Sequence, residues 1–308
     1  MYCTIQYRNT LSGFSFFTMQ LDHKTLHLIK GNLHIAYDAY GDQSDPVVIF
    51  THGAGQTRYS WKGSAEKLAL QGFRTISVDL RGHGDSQWAN DGDYSINRFA
   101  EDLIELTDTL HQGSVKPHVV GASLGGIAAM MAAGTLRPGI FSSITLVDIA
   151  PNMDFGGVLK ILGFMASNTS QGFASLQEAS DIIAQYLPGR KRPTETKGLK
   201  KNLRQRDDGR WYWHWDPRFI TSIAKGIGGD PFQTFETALT NIDVPLHLVR
   251  GGMSELVTEE SVTKFKELMP AAHYTDVEGA AHMIAGDRND VFNSAVAEFL
   301  VLQRQSAQ

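Results

Sequence analysis

Short apolar runs recur along the chain, and segments with helical periodicity separate them. The runs are rich in β-branched residues and are bounded by Gly, Pro or Asp, which is typical of strands buried on both faces of a parallel sheet. They lie at residues 47–50, 75–78, 118–120, 144–147, 246–249 and 274–277. Ahead of them, two alternating runs flank Gly31-Asn32 and predict a β-hairpin.

Apolar residues between these runs recur at helical spacing. One apolar face predicts a helix within residues 94–112, and a mostly apolar, buried helix begins near Gly125. Two more helical patterns surround Phe265 and Phe299. Because strands and helices alternate, the pattern predicts an α/β fold with a doubly wound, mostly parallel sheet.

The alternation stops between about residues 152 and 241. A segment of roughly 90 residues is too long to be a simple connection in a compact domain, so it should be a structured insertion. It contains helical patterns at residues 176–187, 219–227 and 232–239. A basic segment lies at residues 189–206 and an aromatic run at residues 211–215.

Composition narrows the range of partners. The chain is 42% hydrophobic and 20% charged with a net charge of −5, and its scattered Lys and Arg do not indicate a surface for nucleic acid or an anionic membrane. The single cysteine, Cys3, excludes a disulfide within the chain. No apolar run reaches the roughly 18 residues that span a bilayer, and the N-terminus does not resemble a secretory signal. We therefore expect a cytoplasmic protein.

A candidate nucleophile follows the strand at residues 118–120. Residues 121–126 read Gly-Ala-Ser-Leu-Gly-Gly and open a helix, which is the setting of a Gly-x-Ser-x-Gly elbow that exposes a serine hydroxyl above the sheet. Side chains at Gly121 and Gly125 would collide with neighbouring backbone in so tight a turn. The alternative is an ordinary glycine-rich turn in which Ser123 caps the helix.

A candidate base and a candidate oxyanion hole accompany this serine. His282 lies on the loop after the last strand, from which an imidazole can reach back to Ser123; the alternative is a solvent-exposed loop histidine. A tetrahedral intermediate needs two N–H donors, and the amides of Leu124 and Ala54 are the natural pair. We expect His52 to hold the loop that carries Ala54 by hydrogen bonding. None of the eleven histidines forms a His-x-x-x-His pair with a glutamate, so a metal-based mechanism has no ligand set and we predict no metal and no cofactor.

These motifs, together with residues 79–86 (Asp-Leu-Arg-Gly-His-Gly-Asp-Ser), resemble those of α/β-hydrolases over residues 25–303. The chain is most similar to capped carboxylesterases and to the related epoxide hydrolases, haloperoxidase-like enzymes and C–C-bond hydrolases. The resemblance implies the α/β-hydrolase fold with a helical cap after the sixth strand, and a structural role for residues 79–86. Because epoxide hydrolases and haloalkane dehalogenases carry aspartate at the elbow, Ser123 favours acyl-enzyme chemistry. We predict an N-terminal extension at residues 1–24 and a core formed by residues 25–151 and 242–308. The cap is predicted at residues 152–241.

Two carboxylates are candidates for the acid that orients His282. Glu255 follows the strand after the insertion, where the family most often keeps its acid, although its spacing from that strand is one residue longer than usual. Asp148 ends the strand after the nucleophile helix, where some capped esterases and dehalogenases carry theirs. We favour Glu255 over Asp148 and expect the other carboxylate to be structural.

The substrate pocket is predicted from large apolar side chains in and below the cap. The candidates are Trp61, Phe164, Met165, Trp213, Trp215 and Met283. The alternative is that the aromatic residues form the core of the cap itself. The basic stretch at residues 190–204 either attracts a carboxylate-bearing substrate or is a solvated face.

The leading function is a cofactor-free serine esterase that acts on small to medium acyl or aryl esters, as a monomer or homodimer, without nucleic-acid or membrane partners. Two other functions stay open. One is a C–C-bond hydrolase of aromatic ring-cleavage products, and the other is a non-catalytic ligand receptor on the same fold.

Overall fold

A nine-stranded sheet forms the centre of the computed structural model, which describes residues 2–7, 15–28, 32–111, 115–186, 196–226, 231–282 and 289–306. Its strands are β1 (Tyr2–Tyr7), β2 (Ser15–Leu28), β3 (Leu33–Tyr40), β4 (Val47–Thr51), β5 (Arg74–Val78), β6 (His118–Ala122), β7 (Ser143–Val147), β10 (Leu246–Gly251) and β11 (His273–Val277). A separate two-stranded sheet pairs β8 (Leu203–Gln205) with β9 (Trp211–Trp213).

The order of the strands is β1-β2-β3-β5-β4-β6-β7-β10-β11. The six strands from β5 to β11 in this order are parallel, and β3 is antiparallel to β5. The pairing confirms the mostly parallel sheet and the hairpin that joins β2 to β3. It differs from the prediction at the N-terminus, because β2 pairs with β3 on both sides of residue 24 and β1 pairs with β2. The described part of the predicted extension therefore continues the sheet.

Helices cover both faces of the sheet, as a doubly wound fold requires. The helices of the described ranges are α1 (Lys62–Ala69), α2 (Ile96–Leu110), α3 (Leu124–Met131), α4 (Phe155–Ala166), α5 (Leu176–Tyr186), α6 (Arg218–Gly226), α7 (Pro231–Thr240), α8 (Glu259–Leu268) and α9 (Asn289–Ser306). The side chains of α1 and α9 form the core on one face. Those of α2, α3, α7 and α8 join the core on the other face.

Residues 152–241, here called the insertion, connect β7 to β10 and contain α4 to α7 with the β8–β9 hairpin. Its predicted helices match α5, α6 and α7 closely, but the first three residues of the aromatic run form strand β9 and α4 was not predicted. The end of the insertion packs on the core, since Ala238 and Leu239 are fully buried and Asn241 Nδ2 donates to the carbonyl of Gly134 at 3.0 Å. The core therefore extends to α7.

The carboxyl ends of β4, β6, β7, β10 and β11 meet at one edge of the sheet, and the loops that follow these strands contain the candidate site. Such an edge is where ligands bind in open α/β sheets. Within the residues described, no helix combines the length and the apolar character that crossing a membrane requires.

Candidate active site

Ser123 lies on a strained turn between β6 and α3. Its backbone has φ 45° and ψ −115°, a conformation that costs a non-glycine residue about 1–3 kcal/mol. The neighbouring glycines make the turn possible. A Cβ at Gly121 would lie 2.6 Å from the Gly125 carbonyl oxygen, and a Cβ at Gly125 would lie 2.6 Å from the Thr51 carbonyl oxygen. The half-buried Ser123 thus has the geometry expected of an elbow.

The loop of residues 52–56, here called the His52 loop, lies beside this turn. A Cβ at Gly53 would lie 3.3 Å from Ser123 Cβ, so the two backbones approach closely. The N–H groups of Ala54 and Leu124 donate to no other described residue, which leaves both available at this edge. Among the described residues the Ser123 hydroxyl also has no hydrogen-bond partner.

His52 holds the loop in one orientation, as predicted. Its Nε2 accepts from the N–H of Leu80 at 3.0 Å, so its proton is on Nδ1 and is donated to the Gly53 carbonyl at 2.8 Å. The Gly53 carbonyl and the Ala54 N–H belong to one planar trans peptide and therefore point in opposite directions. Burial lowers the pKa of His52 to about 4, which keeps the ring neutral at ordinary pH.

Asp148 contacts the candidate base directly. It follows β7 in a left-handed conformation with φ 50°, is fully buried, and places Oδ2 2.6 Å from Nδ1 of His282. The Gly251 N–H donates to its Oδ1 at 3.0 Å, and Ser254 Oγ donates to its Oδ2 at 2.6 Å. Since Ser254 Oγ also accepts from the N–H groups that follow it in the loop, its proton is directed at Asp148.

The structure brings Asp148, and not the preferred Glu255, into contact with His282. The Glu255 side chain is 67% exposed, and its Oε2 lies 2.5 Å from Lys160 Nζ of α4. The preceding residue, Ser254, faces inward and contacts Asp148 instead. The sequence carried a signal for this arrangement, because β6 and β7 are neighbours and the residues that follow them, Ser123 and Asp148, emerge side by side. Ser254 and Gly251, which support the carboxylate, were not singled out from the sequence.

Trp61 does not line the site, contrary to the prediction. It is 1% exposed and packs with ring centroids 5.1 Å from Phe50 and 5.8 Å from Phe292. It belongs to the core between the sheet, α1 and α9, because the short 3₁₀ turn that contains it leads directly into α1. Met283, another predicted pocket residue, lies outside the described residues.

The other predicted pocket residues form one apolar cluster against the His52 loop. Met165 and Trp215 reach Gly55, where a Cβ would lie 3.1 Å from Met165 Cε and 3.3 Å from Trp215 Cζ3. Trp213 stacks on Trp215 with centroids 4.5 Å apart, and Phe164 meets Trp213 edge-on at 5.8 Å. Trp213 is thus part of the core of the insertion, whereas Met165 and Trp215 lie where the insertion meets the loop.

Basic residues of the insertion contact surface groups. Lys200 lies over the ring of Trp211, Lys201 over that of Tyr59, and Arg204 pairs with Asp85 at 2.8 Å. This arrangement matches a solvated face. The basic residues at positions 190–192 of the stretch lie outside the described residues. In the described ranges no three His, Cys, Asp or Glu side chains cluster in a way that would hold a metal ion.

The segment of residues 79–86 is structural, as the resemblance implied. Asp79 is buried and binds the guanidinium of Arg58. Arg81 forms a two-pronged ion pair with Asp102, with N–O distances of 2.6 and 2.5 Å. These ion pairs lie on either side of Leu80, whose N–H donates to His52, so they fix the segment that supports the His52 loop.

Comparison with known proteins agrees with this geometry. A model of the alpha/beta hydrolase family matches residues 48–295. Esterase Rv0045c of Mycobacterium tuberculosis is 29% identical over 257 residues, which cover 80% of this chain and 79% of the esterase. A solved structure of this esterase superposes with a TM-score of 0.70 and 28% identity, and the match covers 91% of this chain and 92% of that one. Pimeloyl-[acyl-carrier protein] methyl ester esterase of Aeromonas salmonicida is 29% identical over 259 residues, 81% of this chain and 92% of the relative. The chain therefore belongs to the α/β-hydrolase family.

Proposed function

We propose that the protein is a serine esterase that cleaves carboxylic esters through an acyl-enzyme on Ser123. The observation that carries the proposal is the 2.6 Å contact between His282 and the buried Asp148, at the same sheet edge as the strained Ser123 turn. A buried carboxylate on Nδ1 favours the tautomer whose Nε2 accepts a proton, and it stabilises the imidazolium that follows. The esterase names of two relatives point the same way.

The first half of the reaction would acylate the serine. His282 Nε2 takes the proton of Ser123 Oγ as that oxygen bonds to the ester carbonyl carbon. In free hydrolases this contact is often longer than a hydrogen bond and tightens only with substrate bound. The N–H groups of Leu124 and Ala54 stabilise the tetrahedral oxyanion. The intermediate then expels the alkoxide, which receives the proton from His282 and leaves as the alcohol.

The second half would release the acid. His282 takes a proton from a water molecule, whose oxygen attacks the acyl carbon. The resulting oxyanion is held by the same two amides, and it collapses with cleavage of the bond to Ser123 Oγ. That oxygen recovers the proton from His282, so serine and histidine return to their starting states.

The surroundings favour a neutral, apolar acyl or aryl ester. The apolar side chains Met165 and Trp215 reach the His52 loop from the insertion, and we propose that this part of the insertion acts as a cap over the substrate. A C–C-bond hydrolase acting on an acidic ring-cleavage product would need basic groups at the site. The described basic residues Lys200, Lys201 and Arg204 are instead engaged with surface groups, which makes that alternative the weaker one.

Labelling and turnover test the proposal together. Wild type and Ser123→Ala would be treated with a fluorophosphonate probe and assayed with p-nitrophenyl acetate, butyrate and one ring-cleavage diketone. We expect one equivalent of label and ester turnover in the wild type only, with a loss of about 10⁴-fold or more in the variant. Folded wild type that takes up no label, or that cleaves only the diketone, would contradict the proposal.

A further inference from the structure

One buried histidine of the insertion connects three segments around the site. His214 is 2% exposed and follows β9. Its Nδ1 lies 2.6 Å from the N–H of Gly84, and its Nε2 lies 3.3 Å from the carbonyl oxygen of Gly55. The backbone N–H of His214 donates to the carbonyl of Asn202, the residue before β8, at 3.1 Å. The ring therefore joins the insertion both to the turn at residues 79–86 and to the His52 loop.

The hydrogen bonds assign the proton of this ring. Because a backbone N–H can only donate, Nδ1 of His214 accepts from Gly84, and the proton is on Nε2, directed at Gly55. Protonating Nδ1 would set two donors against each other. Burial also lowers the pKa of His214 well below its ordinary value, so the ring is a neutral donor to Gly55 over the ordinary pH range.

The contact reaches the loop at a position that matters for the oxyanion hole. Gly55 has φ 72°, and it follows Ala54, whose N–H is the proposed second donor. The turn closes with a hydrogen bond from the Gln56 N–H to the Gly53 carbonyl at 3.1 Å. Two carbonyls of this turn each accept a hydrogen bond from a histidine. The Gly53 carbonyl accepts from His52 of the core, and the Gly55 carbonyl accepts from His214 of the insertion.

We propose that His214 is a positioning residue that aligns the oxyanion hole through the Gly55 carbonyl. The inference rests on the proposed function, since it concerns the alignment of a donor for the oxyanion. The two restraints lie on either side of Ala54: His52 fixes the Gly53–Ala54 peptide, which carries the Ala54 N–H, and His214 fixes the Gly55–Gln56 peptide farther along the turn. Together they keep the Ala54 N–H aimed at the point where charge develops. Movement of the insertion away from the His52 loop would break the hydrogen bond from His214 to the Gly55 carbonyl and so release one of the two restraints. Docking of the insertion and stabilisation of the transition state are thereby coupled.

Two substitutions separate the two ends of the ring. Asn carries its side-chain oxygen near the position of Nδ1, so His214→Asn keeps an acceptor for Gly84 and loses the donor to Gly55. Gln carries its amide nitrogen near the position of Nε2, so His214→Gln retains that donor. Trp88→Phe is the matched control, because the indole N–H of Trp88 donates to the His214 carbonyl at 3.3 Å and ties the same junction without touching Gly55.

With p-nitrophenyl butyrate we expect His214→Asn to lower kcat about tenfold with KM within about twofold, because losing an oxyanion donor outright costs about 10²–10³ and misaligning one costs less. The inhibition constant of a trifluoromethyl ketone, which mimics the tetrahedral intermediate, should rise by the same factor. His214→Gln and Trp88→Phe should stay within about threefold of wild type.

The inference is overturned if His214→Asn keeps wild-type kcat, if only its KM changes, or if Trp88→Phe or His214→Gln loses as much kcat as His214→Asn. Each of these results requires an active wild type. A wild type that neither turns over esters nor takes up fluorophosphonate would instead refute the proposed function, and with it the oxyanion hole that His214 is inferred to align.

Discussion

The core and the insertion meet over the carboxyl edge of the sheet, and they hold their side chains in different ways. In the core, Ser123 and Asp148 lie directly after neighbouring strands, and backbone hydrogen bonds and glycine contacts fix both. In the insertion, Met165 and Trp215 are held by packing, through sulfur and ring contacts, and neither follows a strand of the central sheet. Groups that must be aligned to a fraction of an ångström therefore come from the sheet, whereas groups that shape a pocket come from the insertion.

This difference separates two kinds of sensitivity. Changes at the core edge alter the alignment of a proton relay, where errors are costly. Changes in the insertion alter the volume and apolar surface offered to the substrate, where one methylene is worth only about 1–3 kcal/mol. We expect substitutions in the core to lower kcat for every ester and those in the insertion to change the preference among esters.

The largest expected effect distinguishes the two carboxylates. Asp148→Asn should lower kcat about 10⁴-fold, because the amide cannot stabilise the imidazolium and permits the wrong tautomer of His282. Glu255→Gln should leave kcat within about twofold, since this exposed side chain contacts Lys160 of the insertion. Steady-state kinetics with p-nitrophenyl butyrate checks both variants, with thermal melting as the control for folding. Equal losses in the two variants, or a larger loss in Glu255→Gln, would refute the assignment.

A smaller effect tests how closely Ser254 approaches the relay. Its Oγ lies 2.6 Å from the same Asp148 oxygen that contacts His282, so a carboxylate at this position points toward the imidazole. We expect Asp148→Asn combined with Ser254→Asp to recover about 100-fold of the loss in kcat, because a charged acceptor for Nδ1 is restored although its alignment is imperfect.

The matched control for this recovery is Asp148→Asn combined with Glu255→Asp, which keeps a carboxylate in the same loop one residue farther along. It should remain as slow as Asp148→Asn. If both double variants recover equally, the residue position has no special geometry, and the contact seen at Ser254 does not explain the effect.

Much of the core could be predicted from the sequence because its signals are local. The strand runs, the hairpin, the helix of residues 94–112 and the glycine-bounded turn at Ser123 all depend on short patterns that the structure reproduces. The choice between Asp148 and Glu255 depended on a loop conformation. The conformation of the loop of residues 251–258 turns Ser254 toward Asp148 and leaves Glu255 exposed, and no local pattern reports which of the two neighbouring residues faces inward.

The positions of Trp61 and of the aromatic residues of the insertion were also hard to predict from the sequence, because they too depend on tertiary packing. An aromatic residue ahead of a helix suits either face of the sheet, and only the packing of α1 against α9 places Trp61 in the core. The aromatic run at residues 211–215 reads as apolar material for a pocket or a small core alike. In the structure, alternate residues of this run divide these roles, with Trp213 inside the insertion and Trp215 against the His52 loop.

The smallest expected effect concerns the insertion itself. Met165 Cε would lie 3.1 Å from a Cβ at Gly55, so Met165→Ala opens space directly beside the His52 loop. We expect the ratio of kcat/KM for p-nitrophenyl hexanoate to that for the acetate to rise about tenfold, because a longer acyl chain can fill the vacated volume. Leu159→Ala is the matched control, since Leu159 lies on the same helix α4 but is 52% exposed. A ratio that changes equally in both variants, or an equal loss of kcat for both esters in Met165→Ala, would mean that Met165 supports alignment in the same way as the core residues, and the contrast between the two regions would not hold there.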